Sequence, residues 1–145
     1  MEYEIREMTP QDVPQAAALE AQIFSQPWSE KGFLDTLHSQ DALYLTVWGE
    51  GNLLAYCGLL QSFETADIMN VAVREEYRRR GIAYAMLAEL MNRGRQRGIE
   101  RYTLEVRAGN TAALQLYARL GFESAGIRKN FYEKPREDAV ILWTR

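Results

Sequence analysis

The feature that most constrains this chain is a strand, an arginine-rich loop and a long helix that follow one another between residues 66 and 98. The segment ADIMNVAV (residues 66–73) is apolar on both sides of its alternation, which is typical of a strand in the middle of a sheet. The loop REEYRRRG follows it, and Gly98 ends the next segment. That segment has apolar residues at helical offsets, namely Ala83, Met86, Leu87, Leu90 and Met91. This arrangement predicts a sheet with helices packed on its faces.

The rest of the chain supplies more strands and helices around this unit. Helices are expected from Thr9 and from Ser29, and two strands meet at a hairpin turn at residues 49–52. The segment RYTLEVRA (residues 101–108) alternates as a strand, a short helix follows it, and two strands complete the chain. The predicted order is β-α-α-β-β-β-α-β-α-β-β, an α/β (α+β) fold. Residues 1–145 are short enough to form a single domain.

Composition excludes several classes of function. The net charge of −3 and the pI of about 5.3 argue against a general nucleic-acid binder, which is usually basic. One cysteine and one histidine cannot form a Cys/His zinc site, so no metal is expected. The first residues lack the pattern of a signal peptide, and no apolar run approaches the length of a membrane span. We therefore expect a cytoplasmic enzyme or binding protein with no direct contact to membrane or nucleic acid.

The arginine run is placed where an anion binds well. The first amides of a helix are unpaired and the helix dipole is positive there, while Gly81 lets the backbone approach a ligand closely. Arg78, Arg79 and Arg80 add forked donors that suit phosphate oxygens. The alternative is a solvated charge run that happens to precede a helix. The loop matches neither the Walker pattern nor the dinucleotide fingerprint.

The sequence resembles the GNAT superfamily of N-acetyltransferases. The residues RRRGIA fit its R/Q-x-x-G-x-G/A signature, with NVAV on the strand before and a long helix after. The segments LEVRAGNTAALQLYARLGF, PWSEKGF, NFY and EDAVIL are similar to the RimI branch, the bacterial N-terminal acetyltransferases of a ribosomal protein. The resemblance covers nearly the whole chain. It implies the GNAT fold, with a mixed, mostly antiparallel twisted sheet of about seven strands and four helices.

Two residues are candidates for the chemistry that the resemblance implies, the attack of an amine on a thioester. The family places its general base at the Glu of LEVRA, which is Glu105 here, and a proton donor for the departing thiolate at the Tyr of LYARLGF, Tyr117. From the residues alone, the favoured interpretation of Glu105 is a surface carboxylate paired with Arg107 or Arg101. Tyr117 is equally a packed core tyrosine.

The resemblance also implies which residues contact acetyl-coenzyme A. The arginine loop would bind the pyrophosphate, the strand backbone would bind the pantetheine arm, and an Asn would contact the cofactor in addition to capping its helix. The side chains on the strand are expected in the core. The residues concerned are Val71, Ala72, Val73, Arg79, Arg80, Gly81, Ile82, Ala83, Tyr84 and Asn110.

The acceptor side is predicted from two aromatic residues in loops. Trp28 and Tyr132 are candidates for holding an acceptor backbone, and the alternative for Trp28 is loop anchoring by aromatic packing. Cys57 lies in an apolar strand, which indicates a buried structural thiol rather than an acyl-accepting nucleophile. His38 is expected on the surface, with no catalytic role.

The function expected is acetyl-CoA-dependent acetylation of the N-terminal alanine of a small-subunit ribosomal protein, by direct transfer. Two alternatives stay open. One is a GNAT enzyme with another acceptor, such as a lysine, a different N-terminus or a small amine. The other is a non-catalytic acyl-CoA-binding module, with nucleotide binding as a more distant possibility.

Overall fold

The computed structural model describes residues 2–145 and contains seven strands and four α-helices in the predicted order. Short 3₁₀ turns precede the first and third helices. None of the helices in the described part is long and apolar enough to cross a membrane. The elements are β1 (Glu4–Glu7), α1 (Val13–Ile23), α2 (Glu30–Leu37), β2 (Ala42–Gly49), β3 (Asn52–Ser62), β4 (Thr65–Val73), α3 (Ile82–Gln96), β5 (Arg101–Arg107), α4 (Thr111–Arg119), β6 (Phe122–Glu133) and β7 (Arg136–Thr144).

The seven strands form one sheet in the order β1-β2-β3-β4-β5-β7-β6. Neighbouring strands are antiparallel except for β4 and β5, which are parallel and are connected through α3. The fourth strand lies at the centre, as its two apolar sides predicted. The expected mixed and mostly antiparallel sheet is confirmed.

Apolar side chains form one cluster on each face of the sheet. In β2, Leu43, Leu45 and Val47 belong to the cluster that contains Met86, Leu87 and Leu90 of α3. Tyr44 lies between them in sequence and belongs to the other cluster, with Leu19 of α1 and Phe33 of α2. Since alternate residues of a strand point to opposite faces, α3 covers one face of the sheet and α1 and α2 cover the other.

The predicted hairpin between β2 and β3 is a two-residue turn. Glu50 and Gly51 both have left-handed backbone conformations, with φ of 53° and 78°. Two consecutive positive φ values are the signature of the turn that matches the twist of two antiparallel strands. This hairpin brings β2 and β3 into the register that supports β4.

Candidate active site

A gap opens in the middle of the sheet between β4 and β5. The two strands pair only at their first residues, where Thr65, Ala66 and Asp67 oppose residues 101–103. Beyond this point each strand continues without pairing to the other. Because the strands are parallel, their carboxyl ends lie at the same edge of the sheet, where ligands bind in open α/β sheets.

A β-bulge in β4 marks the start of the gap. Leu59 of β3 opposes Ile68 and Gly58 opposes Asn70, so Met69 is the extra residue and is half-exposed. An extra residue reverses which face the following side chains point to. Consistent with this, Ala66 and Ile68 belong to the cluster under α3, whereas Ala72 belongs to the cluster under α1 and α2. The bulge therefore redirects the strand next to the gap.

The arginine loop joins β4 to α3 and turns sharply before the helix. Arg79 and Gly81 have φ of 64° and 79°, and no atom lies within 4 Å of the point where a Cβ would stand on Gly81. The first helical amides follow at once, in a helix long enough to carry a dipole. The structure thus places Arg79, Arg80, Gly81, Ile82, Ala83 and Tyr84 in one exposed turn that leads into the helix, with the side chain of Ile82 buried.

The three consecutive arginines of this loop have different surroundings. The Arg78 Nε donates a hydrogen bond to the Val73 carbonyl at 3.1 Å, which holds the loop against the end of β4. The Arg80 guanidinium lies over the Tyr77 ring, 5.2 Å from its centroid. Arg79 is exposed. Arg78 therefore stabilises the loop, and Arg79 and Arg80 stay the predicted anion ligands.

The strand residues predicted to contact the cofactor line the approach to this loop. The side chain of Ala72 is buried, and those of Val71 and Val73 are half-buried against the core beneath α3. The side chains of these three residues therefore pack in the core, as expected. The backbone of this segment does not pair with β5, so its polar groups on that side are open to a ligand in the gap.

A groove of about 480 Å³ lies beside the gap. It is lined by the outward faces of β4, β5 and β7 and by the second half of β6. Acidic, basic and aromatic side chains all contribute to it. Its lining consists of Asp67, Ile68, Met69, Thr103, Leu104, Glu105, Arg128, Phe131, Tyr132, Ile141 and Trp143.

Glu105 reaches this groove with one oxygen that accepts no hydrogen bond. Its Oε2 is buried and has no hydrogen bond to any of residues 2–145. The nearest cation is Arg128, whose Nε lies 3.8 Å away. The predicted alternative pairing with Arg107 or Arg101 is wrong, because β5 turns both of those side chains to other partners. Arg107 pairs with Glu137 at 3.3 Å, and Arg101 donates to a backbone carbonyl of β7.

Tyr132 lies in the same groove, with Arg107 beneath its ring. The guanidinium carbon is 4.2 Å from the ring centroid, and the same side chain donates to the carbonyls of Pro135 and Lys134 at 2.9 and 3.2 Å. Burial and the nearby Glu105 carboxylate raise the pKa of the Tyr132 hydroxyl, and Arg107 opposes that shift. The structure therefore brings Tyr132 and Glu105 together.

Tyr117 projects from α4 into the core next to the gap. Only 6% of its surface is exposed, and its ring meets that of Phe122 edge-on, with centroids 5.6 Å apart. Burial raises the pKa of this phenol, and the neighbouring Cys57 and Tyr132 add to the shift. The group is therefore protonated throughout the neutral range and can act only as a donor there. Its packing as a core tyrosine and its predicted role as an acid are compatible.

Asn110 and Tyr84 stand at the starts of α4 and α3. The Asn110 Oδ1 accepts a hydrogen bond from the Ala113 amide at 3.1 Å, so the predicted cap is confirmed. The Arg119 guanidinium of α4 lies 4.7 Å from the centroid of the Tyr84 ring. Arg119 is the last residue of α4, so this contact joins the end of α4 to the start of α3.

Trp28 lies in the segment of residues 24–29 between α1 and α2, which we call the acceptor loop. Its ring packs on Phe33 and Tyr44 at centroid distances of 5.4 and 6.2 Å, and it is not part of the groove lining. The structure therefore separates Trp28 from Tyr132 and Glu105 and favours loop anchoring. Its role toward an acceptor stays a prediction.

The remaining candidates are placed as predicted. Cys57 is fully buried in β3, and burial raises the pKa of its thiol, so it is not an activated nucleophile. His38 is exposed at the end of α2. Within residues 2–145, no group of three metal-ligating side chains is placed to hold a metal ion.

Sequence reasoning missed two features of the site. Arg128 was not recognised as the cation next to Glu105, and Met69 was not recognised as the bulged residue at the groove. The exposed arginine has no periodic signal that would identify it, because β6 contains two register shifts. The bulge depends on the pairing of β4 with β3, which the order of residues in β4 does not reveal.

Comparison with known proteins gives consistent results at every level. A family model described as the acetyltransferase (GNAT) family matches residues 13–122. The ribosomal protein bS18-alanine N-acetyltransferase of Escherichia coli strain K12 is 36% identical over 133 residues, which cover 90% of this chain and 89% of the relative. The crystal structure of the ribosomal-protein-S18-alanine N-acetyltransferase from E. coli superposes with a TM-score of 0.90 at 34% identity, over 99% of this chain and 93% of that one.

A more distant structure shares the fold. It is that of PaiA N-acetyltransferase from Thermoplasma acidophilum in complex with coenzyme A. It covers 100% of this chain and 99% of its own, with a TM-score of 0.82 at 19% identity. The fold is therefore shared with a chain of low sequence identity.

Proposed function

The chain belongs to the GNAT family of acetyltransferases and is an N-acetyltransferase; from that premise we propose that it acetylates the N-terminal alanine of ribosomal protein bS18. Acetyl-coenzyme A is the donor that GNAT enzymes use. The transfer is direct, from the thioester to the amine. Residues 1–145 act as one domain in this proposal.

The observation that carries the proposal is the buried Glu105 oxygen in the groove beside the gap, which accepts no hydrogen bond and has only the long ion pair with Arg128. Leaving a carboxylate oxygen buried without a hydrogen bond costs free energy, and a ligand bound in the groove would supply the missing donor. A protonated amine is the donor that fits a carboxylate best. An acceptor amine bound in the groove would therefore meet Glu105 first.

The arginine loop has the properties that a pyrophosphate requires. Unpaired amides, a left-handed glycine with open space around it and two exposed arginines converge at the start of α3. The backbone of Val71–Val73 continues from there along the open side of β4, toward the groove. The donor would lie along this edge, with its thioester at the gap between β4 and β5.

The protein groups on each side of the gap account for the two proton movements. An α-amino group has a pKa of roughly 8, so most of it is protonated at pH 7 and must lose a proton before it attacks. Glu105 would take that proton, directly or through a water, as the nitrogen forms its bond to the acetyl carbon. The carbon–sulfur bond then breaks, and the protonated phenol of Tyr117 would give its proton to the departing sulfur.

The choice of acceptor follows the relatives. Proteins named as bS18-alanine N-acetyltransferases are similar to this chain along nine tenths of its length. A groove flanked by Tyr132, Phe131 and Met69 suits an extended peptide, whose backbone and first side chain pack on flat apolar surfaces. A small first residue leaves the amine free to reach Glu105.

The test is thiol release from acetyl-coenzyme A with two synthetic peptides. One begins with a free alanine and has the N-terminal sequence of bS18. The other has the same sequence, a blocked N-terminus and one internal lysine. Release with the free alanine alone supports the proposal, and release with the blocked peptide assigns the enzyme to lysine acceptors. Measurable binding of acetyl-coenzyme A without release in either case would refute the proposed acceptor and leave another acceptor or an acyl-CoA-binding module.

A further inference from the structure

The chain buries a second carboxylate close to the site, and the chemistry proposed above does not use it. Glu20 lies on the inner face of α1 and only 3% of its surface is exposed. Burying a charged group costs several kcal/mol unless hydrogen bonds satisfy it. A charge in this position therefore needs a structural or functional reason.

The two oxygens of Glu20 accept hydrogen bonds from three different elements. The Oε1 accepts from the Tyr56 hydroxyl of β3 and from the Asn70 Nδ2 of β4, the latter at 3.3 Å. The Oε2 accepts from the Trp28 backbone amide at 2.9 Å. The network continues through Asn70, whose Oδ1 accepts from the Tyr44 hydroxyl at 2.6 Å.

One end of this network is the bulge that opens the gap. Asn70 is the residue immediately after Met69, and the bulge directs its side chain toward α1 rather than toward α3. The next residues, Val71–Val73, form the open edge of β4. Glu20 thus holds the strand at the point where it leaves β5.

The other end of the network is the acceptor loop, which reaches the far wall of the groove. Within that loop, the Ser25 hydroxyl donates to the Lys134 carbonyl at 2.5 Å, in the turn between β6 and β7. Arg107 donates to the same carbonyl and stacks on Tyr132. A continuous set of contacts therefore runs from Glu20 through the loop to the turn that carries Tyr132.

We propose that Glu20 is a positioning residue for the acceptor. Its carboxylate holds the acceptor loop and the bulged strand in one fixed relation, so that the groove is preformed when the amine arrives. It does not touch the donor or the reacting atoms. The effect on acceptor binding rests on the proposed function, whereas the effect on the loop itself can be measured without it.

The variant that tests this is Glu20→Gln. A carboxamide keeps the size and shape of the side chain but replaces one acceptor oxygen with a donor. The amide nitrogen then faces one donor if it takes the place of Oε2 and two donors if it takes the place of Oε1. We expect the KM for the acceptor peptide to rise roughly fivefold or more, from the lost hydrogen bond, while the dissociation constant for acetyl-coenzyme A changes less than about twofold.

Asp12→Asn is the matched control. Asp12 is also a buried carboxylate, 4% exposed, but its partners are Thr9 at 2.8 Å and Arg6 at 3.6 Å, none of which lines the groove. Its replacement is expected to lower the melting temperature without changing the KM for the peptide. An equal rise in KM in the two variants would mean that Glu20 acts through global stability alone, and would overturn the proposal.

Ser25→Ala provides a variant with no cost to folding, because Ser25 is exposed. It removes the contact between the acceptor loop and the turn at Lys134. We expect a rise in acceptor KM in the same direction as for Glu20→Gln, at an unchanged melting temperature. If Glu20→Gln fails to fold, this variant decides: a wild-type acceptor KM in Ser25→Ala would overturn the proposal.

Amide hydrogen exchange gives a readout that is independent of turnover. Amides of residues 24–29 should exchange faster in Glu20→Gln than in the wild type or in Asp12→Asn. Unchanged exchange in this loop would refute the positioning role even if the enzyme is active. A wild-type enzyme that releases no thiol with any acceptor would refute the proposed function instead, and the exchange result would still decide the role of Glu20.

Discussion

Glu105→Gln should separate the removal of the amine proton from every other contribution of the site. Glutamine has nearly the same shape as glutamate but cannot take up a proton at neutral pH. We expect the variant to bind acetyl-coenzyme A normally and to turn over slowly at low pH. Its rate should approach that of the wild type as the acceptor amine loses its proton in solution.

The size of the effect follows from the titration of the amine. With a pKa of roughly 8, about 3% of an α-amino group is free base at pH 6.5 and about 90% at pH 9. General-base catalysis typically contributes about 10²- to 10⁴-fold. The ratio of wild-type to variant kcat/KM should therefore be at least about 10² at pH 6.5, and it should shrink about thirtyfold by pH 9.

The same substitution should have little effect on stability. Glu105 loses only a contact at 3.8 Å with Arg128, a side chain that is more than half exposed, and such pairs are worth about 0 to 1 kcal/mol. Against this, the variant no longer buries a carboxylate oxygen without a partner. We expect the free energy of unfolding to stay within about 1 kcal/mol of the wild type.

The assay is thiol release at saturating acetyl-coenzyme A, with the alanine peptide varied, at several values between pH 6.5 and 9. Glu123→Gln is the matched control, because Glu123 is an exposed carboxylate that pairs with Arg145 away from the groove. It should follow the wild-type profile. A rate ratio for Glu105→Gln that stays constant across this pH range would refute the assignment of Glu105 as the base.

Three further predictions concern the proton donor Tyr117, the arginine loop and two buried residues of the core. Tyr117→Phe should lower kcat about tenfold or more, while acetyl-coenzyme A binding and the melting temperature stay nearly unchanged. A thioester of a more acidic thiol should recover much of the rate, because its thiolate leaves without needing a proton. A wild-type kcat in this variant would contradict the role of Tyr117 as an acid. Gly81→Ala should lower the free energy of unfolding in urea by about 1 to 2 kcal/mol, because φ at this position is +79°. It should also weaken acetyl-coenzyme A binding, as measured by titration calorimetry. An unchanged affinity would count against pyrophosphate binding by the arginine loop. Burial raises the pKa of Tyr56 and Cys57 in the folded chain, so the unfolded chain loses these protons at a lower pH than the folded chain does. The urea concentration at the unfolding midpoint should therefore decrease as the pH is raised from 8 to 10.5. A midpoint that does not change over this range would mean that these groups do not contribute.

Local patterns were sufficient to predict the elements and their order. The periodicity of apolar residues, the hairpin turn at Glu50 and Gly51 and the cap at Asn110 all depend on residues close together in the chain. The same is true of the helix start after Gly81, since a helix start is set by a few consecutive residues. These features were confirmed for that reason.

The candidate site was predictable only in part. Alternation in β5 and the resemblance to the family together indicated Glu105, but its ion-pair partner was predicted wrongly. Arg107 and Arg101 are its neighbours in sequence, yet Arg128 on β6 is its neighbour in space. Pairing in the sheet brings together strands that are distant in the chain. Because β6 contains two register shifts, the alternation of its residues does not predict which of them lies next to Glu105.

The strand and helix order, the arginine loop at a helix start and the family to which the chain belongs follow from the sequence, because each of these is carried by consecutive residues. The folded structure was needed to show that β4 stops pairing with β5 after Asp67, that one buried oxygen of Glu105 accepts no hydrogen bond, and that Glu20 joins the acceptor loop to the bulged strand. These features arise from pairings between residues that are far apart in the chain. Their energies depend on burial and distance, which exist only once the sheet has formed and the helices have packed on it.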